Sequence, residues 1–286
     1  NGFLPYELDW SVAASQLVST TNRAGELFCS GSWRAPELRL NKLEGRFDGR
    51  RLDVEGGLDV ASRELRAHVN SQADPHQVPM LPSAALKWLS QFTWNGPPVL
   101  QADARLILPS WTNHPVNWRE VVPTIQLAGD FDVDKGGTFR GIEVSAAKGR
   151  FTYTNQIWRL PMLQASRPEG NVEAEHWANE VTHEHYWKFL TTVDPRIAEP
   201  LLEPSARQIF KLISLETPPR IAGELWDHSR RPDLTGFRGT INVTNLGFRG
   251  ETCSVLRAGI QFTNNQITVT KPELQRGTQL AQADSV

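Results

Sequence analysis

The side chains between residues 176 and 185 are the ones in this chain whose types and spacing come closest to metal chemistry. His176, His183, Glu184 and His185 are clustered there. On a helix, His176 and His183 would share a face, whereas His183 and His185 would point apart. Zinc sites use three or four convergent ligands, and no cysteine or second histidine pair lies nearby. The sequence therefore favours an exposed polar helix face, and we expect no metal site.

Acidic residues alternate along one predicted strand, at Asp130, Asp132 and Asp134. Their side chains would lie on one side of that strand. A calcium loop of the EF-hand type also needs a glycine and a distal glutamate, which this spacing lacks. The pattern indicates the solvent-facing side of an antiparallel sheet.

Catalytic motifs are missing from the sequence. There is no phosphate-binding glycine loop, no nucleophile elbow and no zinc-protease helix. No two carboxylates stand in recognisably contrasting environments, as acid–base catalysis requires. We expect no catalytic residues and no cofactor, and the chain is predicted not to be an enzyme. A glycan hydrolase of β-rich fold is the remaining enzymatic possibility, and it would need a deep pocket with paired carboxylates.

The composition limits the classes of partner. The chain has 286 residues with a formal net charge of −2, and 39% of them are hydrophobic. Nucleic-acid binding depends on an excess of Lys and Arg, so no nucleic-acid partner is expected. No stretch approaches about 18 apolar residues, the length of a membrane-spanning helix. Ten tryptophans are many for this length, and most are expected in a core or groove.

The cysteines and the first residue give two further expectations. Cys29 and Cys253 lie far apart, which favours two unpaired thiols and leaves one long-range disulfide open. The chain starts at Asn1, contains only Met80 and Met162 as methionines, and has no basic-then-apolar leader. We therefore expect a fragment or a processed chain.

Alternation of apolar and polar residues is the dominant local pattern, and it predicts half-buried strands. It is clearest over residues 100–108, 125–133, 256–262 and 267–269. Turn residues separate such runs, which is typical of antiparallel meanders. The predicted turns are Asp48-Gly49, Gly56-Gly57, Gly136-Gly137, Gly247 and Asn264-Asn265. A hairpin is predicted over Leu58–Val69.

Helical spacing appears in two segments that each start with a proline, Pro82–Phe92 and Pro204–Ile213. A third possible helix covers Ala174–Leu190. The first two belong to an ordered series of landmarks that occurs twice. The landmarks are Asp-Pro (74 and 194), Pro-Ser-Ala (82 and 204), Pro-Pro (97 and 218), Phe-Arg-Gly (139 and 248) and Thr-Asn (154 and 263).

An internal duplication explains this series. The Phe-Arg-Gly to Thr-Asn distance is the same in both copies, and an insertion is predicted near Asn113–Val122. The sequence predicts the end of a preceding unit over 1–73, one unit over 74–193, and a second, incomplete unit over 194–286. The three parts would share one continuous β-groove.

The repeat resembles the periplasmic repeat region of AsmA-like proteins. The resemblance rests on Val193-Asp194-Pro195, the helix 201–213, the run Thr217–Leu225, Gly239–Val243 and the continuation from Gly247 to Ile267. It covers about residues 38–275. Family members are long chains with an N-terminal inner-membrane helix, which this sequence does not contain.

The resemblance implies an elongated, twisted antiparallel β-sheet with a few short helices, curled into an open groove with an apolar inside. It also implies phospholipid transport and outer-membrane biogenesis in a Gram-negative envelope, as in bridge-like lipid transfer proteins. The expected location is the periplasm, with a tether to the inner membrane. The expected partners are phospholipids or other acyl lipids and envelope membrane proteins, and no catalytic residues are implied.

The residues themselves also favour a groove. A one-sided apolar sheet must bury that side, and the predicted helices are too few to cover it. Either two sheets pack face to face or the sheet curls around a ligand. The groove-lining candidates are the inward-facing residues of the predicted strands. They are Leu52, Val54, Leu65, Ala67, Val69, Leu100, Ala102, Ala104, Leu106, Ile125, Leu127, Phe131, Ile142, Val144, Leu256, Ala258, Ile260, Phe262, Ile267 and Val269.

A different class of function is the main alternative. A non-transporting β-repeat scaffold, or an adhesin-like module that binds protein or glycan, would have the same alternation. Rows of exposed tryptophans on the polar face would favour that alternative.

Overall fold

The computed structural model describes residues 7–18, 23–47, 49–77, 87–111, 117–201, 206–264 and 266–286. The fold is mainly β, with 68% strand and 9% helix. The prediction of a mainly β, antiparallel fold with few short helices is confirmed. The chain divides into two compact units. Unit 1 comprises Asn1–Lys135 and Lys148–Trp158, and unit 2 comprises Gly136–Ala147 and Arg159–Val286.

Twenty strands lie in the described part of the chain. In chain order they are β1 (Glu7–Val18), β2 (Arg23–Arg34), β3 (Glu37–Phe47), β4 (Arg50–Asp59), β5 (Glu64–Ser71), β6 (Phe92–Trp94), β7 (Val99–Ile107), β8 (Gln126–Val133), β9 (Gly137–Phe139), β10 (Ile142–Val144), β11 (Ala146–Thr154), β12 (Ile157–Arg167), β13 (Gly170–Asn179), β14 (Glu184–Thr191), β15 (Ile213–Leu215), β16 (Arg220–His228), β17 (Gly236–Phe248), β18 (Glu251–Thr263), β19 (Gln266–Arg276) and β20 (Gln279–Gln282).

The helical segments are short. One α-helical turn spans Trp118–Val121. The 3-10 helices are Pro75–Gln77, Val122–Thr124, Pro195–Leu201, Ala206–Lys211 and Pro232–Leu234. Segments this short connect strands, and they are too short to cover the faces of a sheet.

The sheet of unit 1 is a meander. β1, β2, β3, β4, β5, β7 and β8 pair in that order, and each pair is antiparallel. β11 also pairs with β8. Between β4 and β5 the Asp59 carboxylate accepts hydrogen bonds from the backbone N–H groups of Ala61 and Ser62. This confirms the hairpin predicted over Leu58–Val69.

The sheet of unit 2 follows the same antiparallel rule. β13, β14, β16, β17, β18, β19 and β20 pair in that order, and β15 pairs with the far end of β17. β9 and β10 form a separate small hairpin. Between β13 and β14 the Asn179 side-chain oxygen accepts hydrogen bonds from the N–H groups of Val181 and Thr182.

Few hydrophobic side chains are fully buried. Among the described residues they are Ala73, Leu89, Val121, Val133, Tyr153, Ala174, Ala178, Val193, Val243, Cys253 and Ala258. Most are alanine or valine, so the larger apolar side chains keep part of their surface exposed. The two units therefore hold much of their apolar surface on the sheet faces.

The helix predicted over Ala174–Leu190 is wrong. This segment contains the end of β13, a turn and β14, with eight directly opposed residue pairs from Val172↔Thr191 to Asn179↔Glu184. Aromatic residues such as Trp177, Tyr186 and Trp187 favour a pleated strand, and the Asn179 cap closes the turn. Apolar residues on two antiparallel strands mimicked helical spacing in the sequence.

The two proline-initiated helices end earlier than predicted. Residues 78–86 lie outside the described part, 87–89 form the end of a helix, and Phe92 begins β6. In the second segment, 202–205 lie outside the description, Ala206–Lys211 is 3-10 helix and Ile213 begins β15. Each helical segment ends where a short strand begins, because the backbone there forms hydrogen bonds with another strand.

Two predicted turns are instead parts of strands. Gly56 and Gly57 lie within β4, where a Cβ on Gly56 would stand 2.5 Å from the carbonyl oxygen of Arg66. Gly247 lies within β17. Gly56 thus serves a close approach between neighbouring strands. The predicted insertion contains the helical turn Trp118–Val121, and its residues 112–116 lie outside the described part.

Candidate functional site

One face of the unit 1 sheet is apolar across seven strands. Residues directly opposite each other in antiparallel strands point to the same face, so the register assigns the side chains in rows. The rows are Leu8–Trp33–Leu38–Leu58–Leu65–Leu106; Trp10–Gly31–Leu40–Gly56–Ala67–Ala104–Leu127; Val12–Cys29–Leu43–Val54–Val69–Ala102–Gly129; and Ala14–Leu27–Gly45–Leu52–Ser71–Leu100–Phe131.

The predicted groove residues of unit 1 gather on this face. The eleven that lie there are Leu52, Val54, Leu65, Ala67, Val69, Leu100, Ala102, Ala104, Leu106, Leu127 and Phe131. Each is half-buried, and none is fully buried. A face closed by a second packed sheet would bury such residues completely. The face therefore retains accessible apolar surface along its length.

Strand position sets exposure more strongly than residue type does. Val99 and Ile107 in β7 lie on the opposite face and are 47% and 42% exposed. Leu100 and Leu106, one residue away on the apolar face, are half-buried. Neighbouring apolar side chains shield one another on the apolar face, so the two faces differ physically as well as in composition.

Unit 2 has a corresponding apolar face on six strands. Its rows are Ala178–His185–Asp227; His176–Trp187–Leu225–Phe237–Phe262–Ile267; Ala174–Phe189–Gly223–Gly239–Ile260–Val269; Val172–Thr191–Ile221–Ile241–Ala258; and Val243–Leu256–Leu274. Six predicted groove residues lie in these rows: Leu256, Ala258, Ile260, Phe262, Ile267 and Val269. Ile267 is 67% exposed.

Three predicted groove residues lie outside these rows. Ile125 precedes β8, where its N–H donates to the carbonyl of Val122. Ile142 and Val144 belong to the small β9–β10 hairpin, opposite Phe139 and Gly137. The alternating pattern in the sequence could not distinguish a three-residue strand of a small hairpin from a strand of the main sheet.

Aromatic rings cover glycines on the apolar face of unit 2. A Cβ on Gly223 would stand 2.6 Å from the Phe237 ring, and one on Gly239 would stand 2.7 Å from the same ring. Phe189 lies near Phe237, with ring centroids 6.3 Å apart. Large rings therefore fill the centre of this face, where the equivalent positions of unit 1 are Val69 for Phe189 and Leu127 for Phe237.

A polar cluster interrupts the apolar face of unit 2 at its turn end. It consists of His176, His185 and Asp227. The His176 ring stacks on Trp187 with centroids 3.8 Å apart, and the His185 ring lies 6.1 Å from it. Nδ1 of His176 donates to the carbonyl of Tyr186 at 2.8 Å. Burial lowers the pKa of His176, so its ring is neutral at pH 7.

The expected polar helix face is thus wrong for these histidines. His176 and His185 lie on adjacent strands of the apolar face, and His183 lies in the turn with φ of +63°. No group of three or more metal-ligating side chains occurs among the described residues. Asp130 and Asp132 lie on the polar face of β8, and Asp134 follows that strand in a turn.

The opposite faces carry charged side chains in cross-strand pairs. In unit 1, Glu64 bonds both Arg66 and Arg105, and His68 bonds Asp103 at 2.7 Å. The hydrogen bond from Arg105, followed by that from Arg66, lowers the pKa of Glu64. A cavity of about 930 Å³ lies on this polar face. Most of its lining residues belong to the polar face, and it also includes Ala67, Ala104 and Leu127 of the predicted groove residues.

The polar face of unit 2 combines charges with an aromatic row. Trp177, Tyr186 and Trp226 stand directly opposite one another across β13, β14 and β16. The rings of Trp177 and Tyr186 stack at 6.1 Å between centroids. The neighbouring row includes Glu224, which binds Arg238, and helps to line a cavity of about 610 Å³. Burial raises the pKa of Tyr186.

Sequence reasoning missed two groups of apolar-face residues. It omitted β1 to β3, where Leu8, Trp10 and Val12 alternate with polar residues. It also omitted β13 to β17, where histidine and aspartate break the apolar alternation. Period-two patterning was regular only in the first group, and the helix interpretation of 174–190 obscured the strands of the second.

The cysteines and the helices complete the description of the two units. Cys29, on the apolar face of unit 1, and Cys253, buried in unit 2, are free thiols. Over the described ranges, no helix has the length and apolar character needed to cross a membrane.

Comparisons with protein-family models, curated proteins and solved structures found no match to this chain.

Proposed function

We propose that this chain is a segment of a periplasmic AsmA-like protein that shields lipid acyl chains during phospholipid transport and outer-membrane biogenesis. The observation that carries the proposal is the accessible apolar face of unit 1, which continues across seven hydrogen-bonded strands. The proposed role is binding and guidance of lipid, with no catalytic step.

The dimensions and energetics of that face support acyl binding. Seven strands at about 4.8 Å spacing present about 29 Å of apolar surface across the strands. The hydrocarbon core of one membrane leaflet measures about 15 Å, so this surface accommodates an extended acyl chain. Burial of an acyl chain contributes about 0.8 kcal/mol per CH₂. A row of Leu, Val and Ala offers no fixed polar contact, which suits a chain that slides.

The cellular setting follows from the same proposal. Phospholipid or another acyl lipid is the proposed ligand, and envelope membrane proteins are the proposed partners. We place the protein in the periplasm, with an inner-membrane tether elsewhere in a longer protein. The open groove of the proposed family is a curled form of such a sheet.

We also infer that the two units contain copies of one repeat. Matched local geometry supports this duplication. Arg63 and His183 end equivalent turns with φ of +65° and +63°. β5 and β14 each have eight residues. After them, Asp74 and Asp194 each accept a hydrogen bond of 2.9 Å from the N–H two residues later.

Charge placed on the apolar face tests the lipid proposal. Ala104→Asp in unit 1 and Ala258→Asp in unit 2, made separately, would place a carboxylate among apolar side chains. We expect each variant to lose most of the phospholipid that co-purifies with the protein, measured by lipid extraction and mass spectrometry. Transfer of a fluorescent phospholipid between vesicles is expected to fall in parallel.

Ala222→Asp is the matched control, because Ala222 lies on the polar face of β16 beside Arg220. It is expected to keep wild-type lipid content and transfer. Circular dichroism establishes that each variant is folded. Unchanged lipid content and transfer in both apolar-face variants would overturn the proposal.

A scaffold that binds glycan is the second candidate function. The aromatic row Trp177–Tyr186–Trp226 favours it, because stacked rings beside charged groups suit the apolar faces and hydroxyls of sugars. Trp177→Ala should then abolish binding of envelope oligosaccharides in calorimetry. Trp187→Ala, on the opposite face, is the control and should retain that binding. Absence of oligosaccharide binding to the wild-type chain would remove this candidate.

A further inference from the structure

We propose that His176, His185 and Asp227 form a binding site for a primary ammonium group. The site lies at the edge of the unit 2 apolar face that is next to the β13–β14 turn. The ammonium would belong to the head of a phospholipid whose acyl chains lie on the adjoining apolar rows. This assignment rests on the proposed lipid-binding function and adds the class of headgroup that the site selects.

The position of the cluster suits a lipid head. Asp227 stands directly opposite His185, which stands opposite Ala178 in the row next to the final Asn179–Glu184 pair of the β13–β14 hairpin. The next row begins with His176 and Trp187 and continues into Leu225 and Phe237. A lipid whose acyl chains lie along these apolar rows could thus place its head beside the three polar side chains.

The cluster has unused capacity to accept hydrogen bonds. The Oδ1 atom of Asp227 is buried and has no hydrogen-bond partner among the described residues. A buried carboxylate oxygen without a partner is costly, so a donor that reaches it would be strongly stabilised. Because Oδ1 is shielded from solvent, an ammonium would have to displace a neighbouring side chain to contact it. His176 uses Nδ1 as its donor to Tyr186, which leaves Nε2 as an acceptor.

A primary ammonium matches these acceptors. It carries three N–H donors and a positive charge, whereas the cluster offers a carboxylate and the Nε2 acceptor of His176. The indole of Trp187, held against His176 at 3.8 Å, adds an aromatic face that attracts cations. The described residues contain no metal-ligand group, so an organic cation fits the arrangement better than a metal ion.

The titratable and cationic groups around Asp227 restrict where an ammonium group could bind. The His183 ring, in the β13–β14 turn, and the His228 ring, at the end of β16, lie nearly perpendicular with centroids 6.3 Å apart. Burial, with the added charge of Arg230, lowers the pKa of His183. The lowered pKa of His183 favours its neutral ring at pH 7, and Arg230 is a nearby cation. The ammonium is therefore expected on the apolar side of Asp227, away from Arg230.

Two lysolipids that share one acyl chain test the site. Lysophosphatidylethanolamine carries a primary ammonium, and lysophosphatidylcholine carries the trimethylated head without N–H donors. We expect the wild-type chain to bind the ethanolamine lipid about tenfold more tightly, measured by tryptophan fluorescence below the micelle concentration. Asp227→Asn should reduce the ratio of affinities to within about twofold and leave the choline lipid unaffected.

The controls separate this site from the proposed function. Glu224→Gln removes a carboxylate from the polar face of the same strand and should keep the tenfold ratio. Asp227→Leu is a second variant, with the same expected loss of preference, in case the asparagine disturbs folding. Equal wild-type binding of both lysolipids would overturn the ammonium site and leave lipid binding intact. Persistence of the ratio in Asp227→Asn would also overturn it, whereas no binding of either lipid would overturn both proposals.

Discussion

The apolar faces of the two units present different side chains on equivalent strand pairs. In unit 1 the row next to the β4–β5 turn is Leu58, Leu65 and Leu106. The corresponding row of unit 2 is Ala178–His185–Asp227. The backbone pairing is the same in kind, so the difference resides in side-chain chemistry alone.

The next rows differ in the size of their side chains. Unit 1 has Gly56, Ala67 and Ala104 where unit 2 has His176, Trp187 and Leu225. Small residues leave space above the sheet, whereas stacked rings fill it. Under the proposed function, unit 1 offers uniform acyl surface and unit 2 offers selective contacts. A period-two pattern fixes which residues share a face, and the individual residues then decide what that face binds.

The largest effect is expected when charge enters the core of one unit. Val133 and Val243 are each 2% exposed, in unit 1 and unit 2. Val243→Asp would bury an unpaired carboxylate and cost roughly 3–5 kcal/mol. Hydrogen exchange followed by mass spectrometry should show lost protection in β16 to β18, with unit 1 still protected. Val133→Asp should give the reverse, and loss of protection in both units from either variant would contradict this prediction.

Substitution of one glycine in each unit, at equivalent positions of β8 and β17, compares how tightly the two apolar faces are packed. A Cβ on Gly129 would stand 2.7 Å from the Phe151 ring, and one on Gly239 would stand 2.7 Å from the Phe237 ring. Gly129→Ala and Gly239→Ala should each destabilise the protein by about 1–3 kcal/mol through overpacking. Urea denaturation measures both. Gly57→Ala is the control for added volume, because a Cβ there would stand 3.7 Å from the carbonyl oxygen of Leu38, an ordinary contact.

Acid should weaken unit 2 through its histidines. The folded-state pKa values of His176 and His183 are lowered, chiefly by burial, below the ordinary value of 6.5. The unfolded chain therefore takes up protons first as the pH falls, and stability declines from about pH 6.5 downward. The urea midpoint should be lower at pH 5.5 than at pH 7.5.

His176→Phe keeps a ring on Trp187 and removes one titrating group. This variant should show a smaller drop in the urea midpoint between the two pH values. An unchanged pH dependence would exclude His176 as its source.

The smallest effect is expected on the polar faces. Glu64→Gln in unit 1 removes the partner of Arg66 and Arg105, and Glu224→Gln in unit 2 removes that of Arg238. The arginine side chains of these pairs are more than half exposed, so water and salt screen the pairs and each contributes little. The melting temperatures should fall slightly, more for Glu64→Gln because two arginines lose a partner. The difference should disappear in 1 M NaCl, and a large salt-independent loss would contradict this view.

Prediction from sequence succeeded where alternation was regular. The strands around Leu100–Leu106 and Leu256–Phe262 lie where the pattern placed them, with their apolar residues on one face. It failed for 174–190, where His176, His185 and the aromatic residues did not alternate as apolar and polar. It also failed at Gly56-Gly57, because a glycine required by close strand approach has the same sequence signature as a turn glycine.

The sequence by itself determined the mainly β character and the two-sided strands, because side chains of a strand alternate with a period of two. The tertiary structure alone decided which strands are neighbours and in which register. That register places Asp227 opposite His185 and Trp187 opposite His176, although each pair is separated by a turn or by another strand in the chain. Backbone hydrogen bonding between strands sets these juxtapositions, and no local pattern in a single strand encodes them.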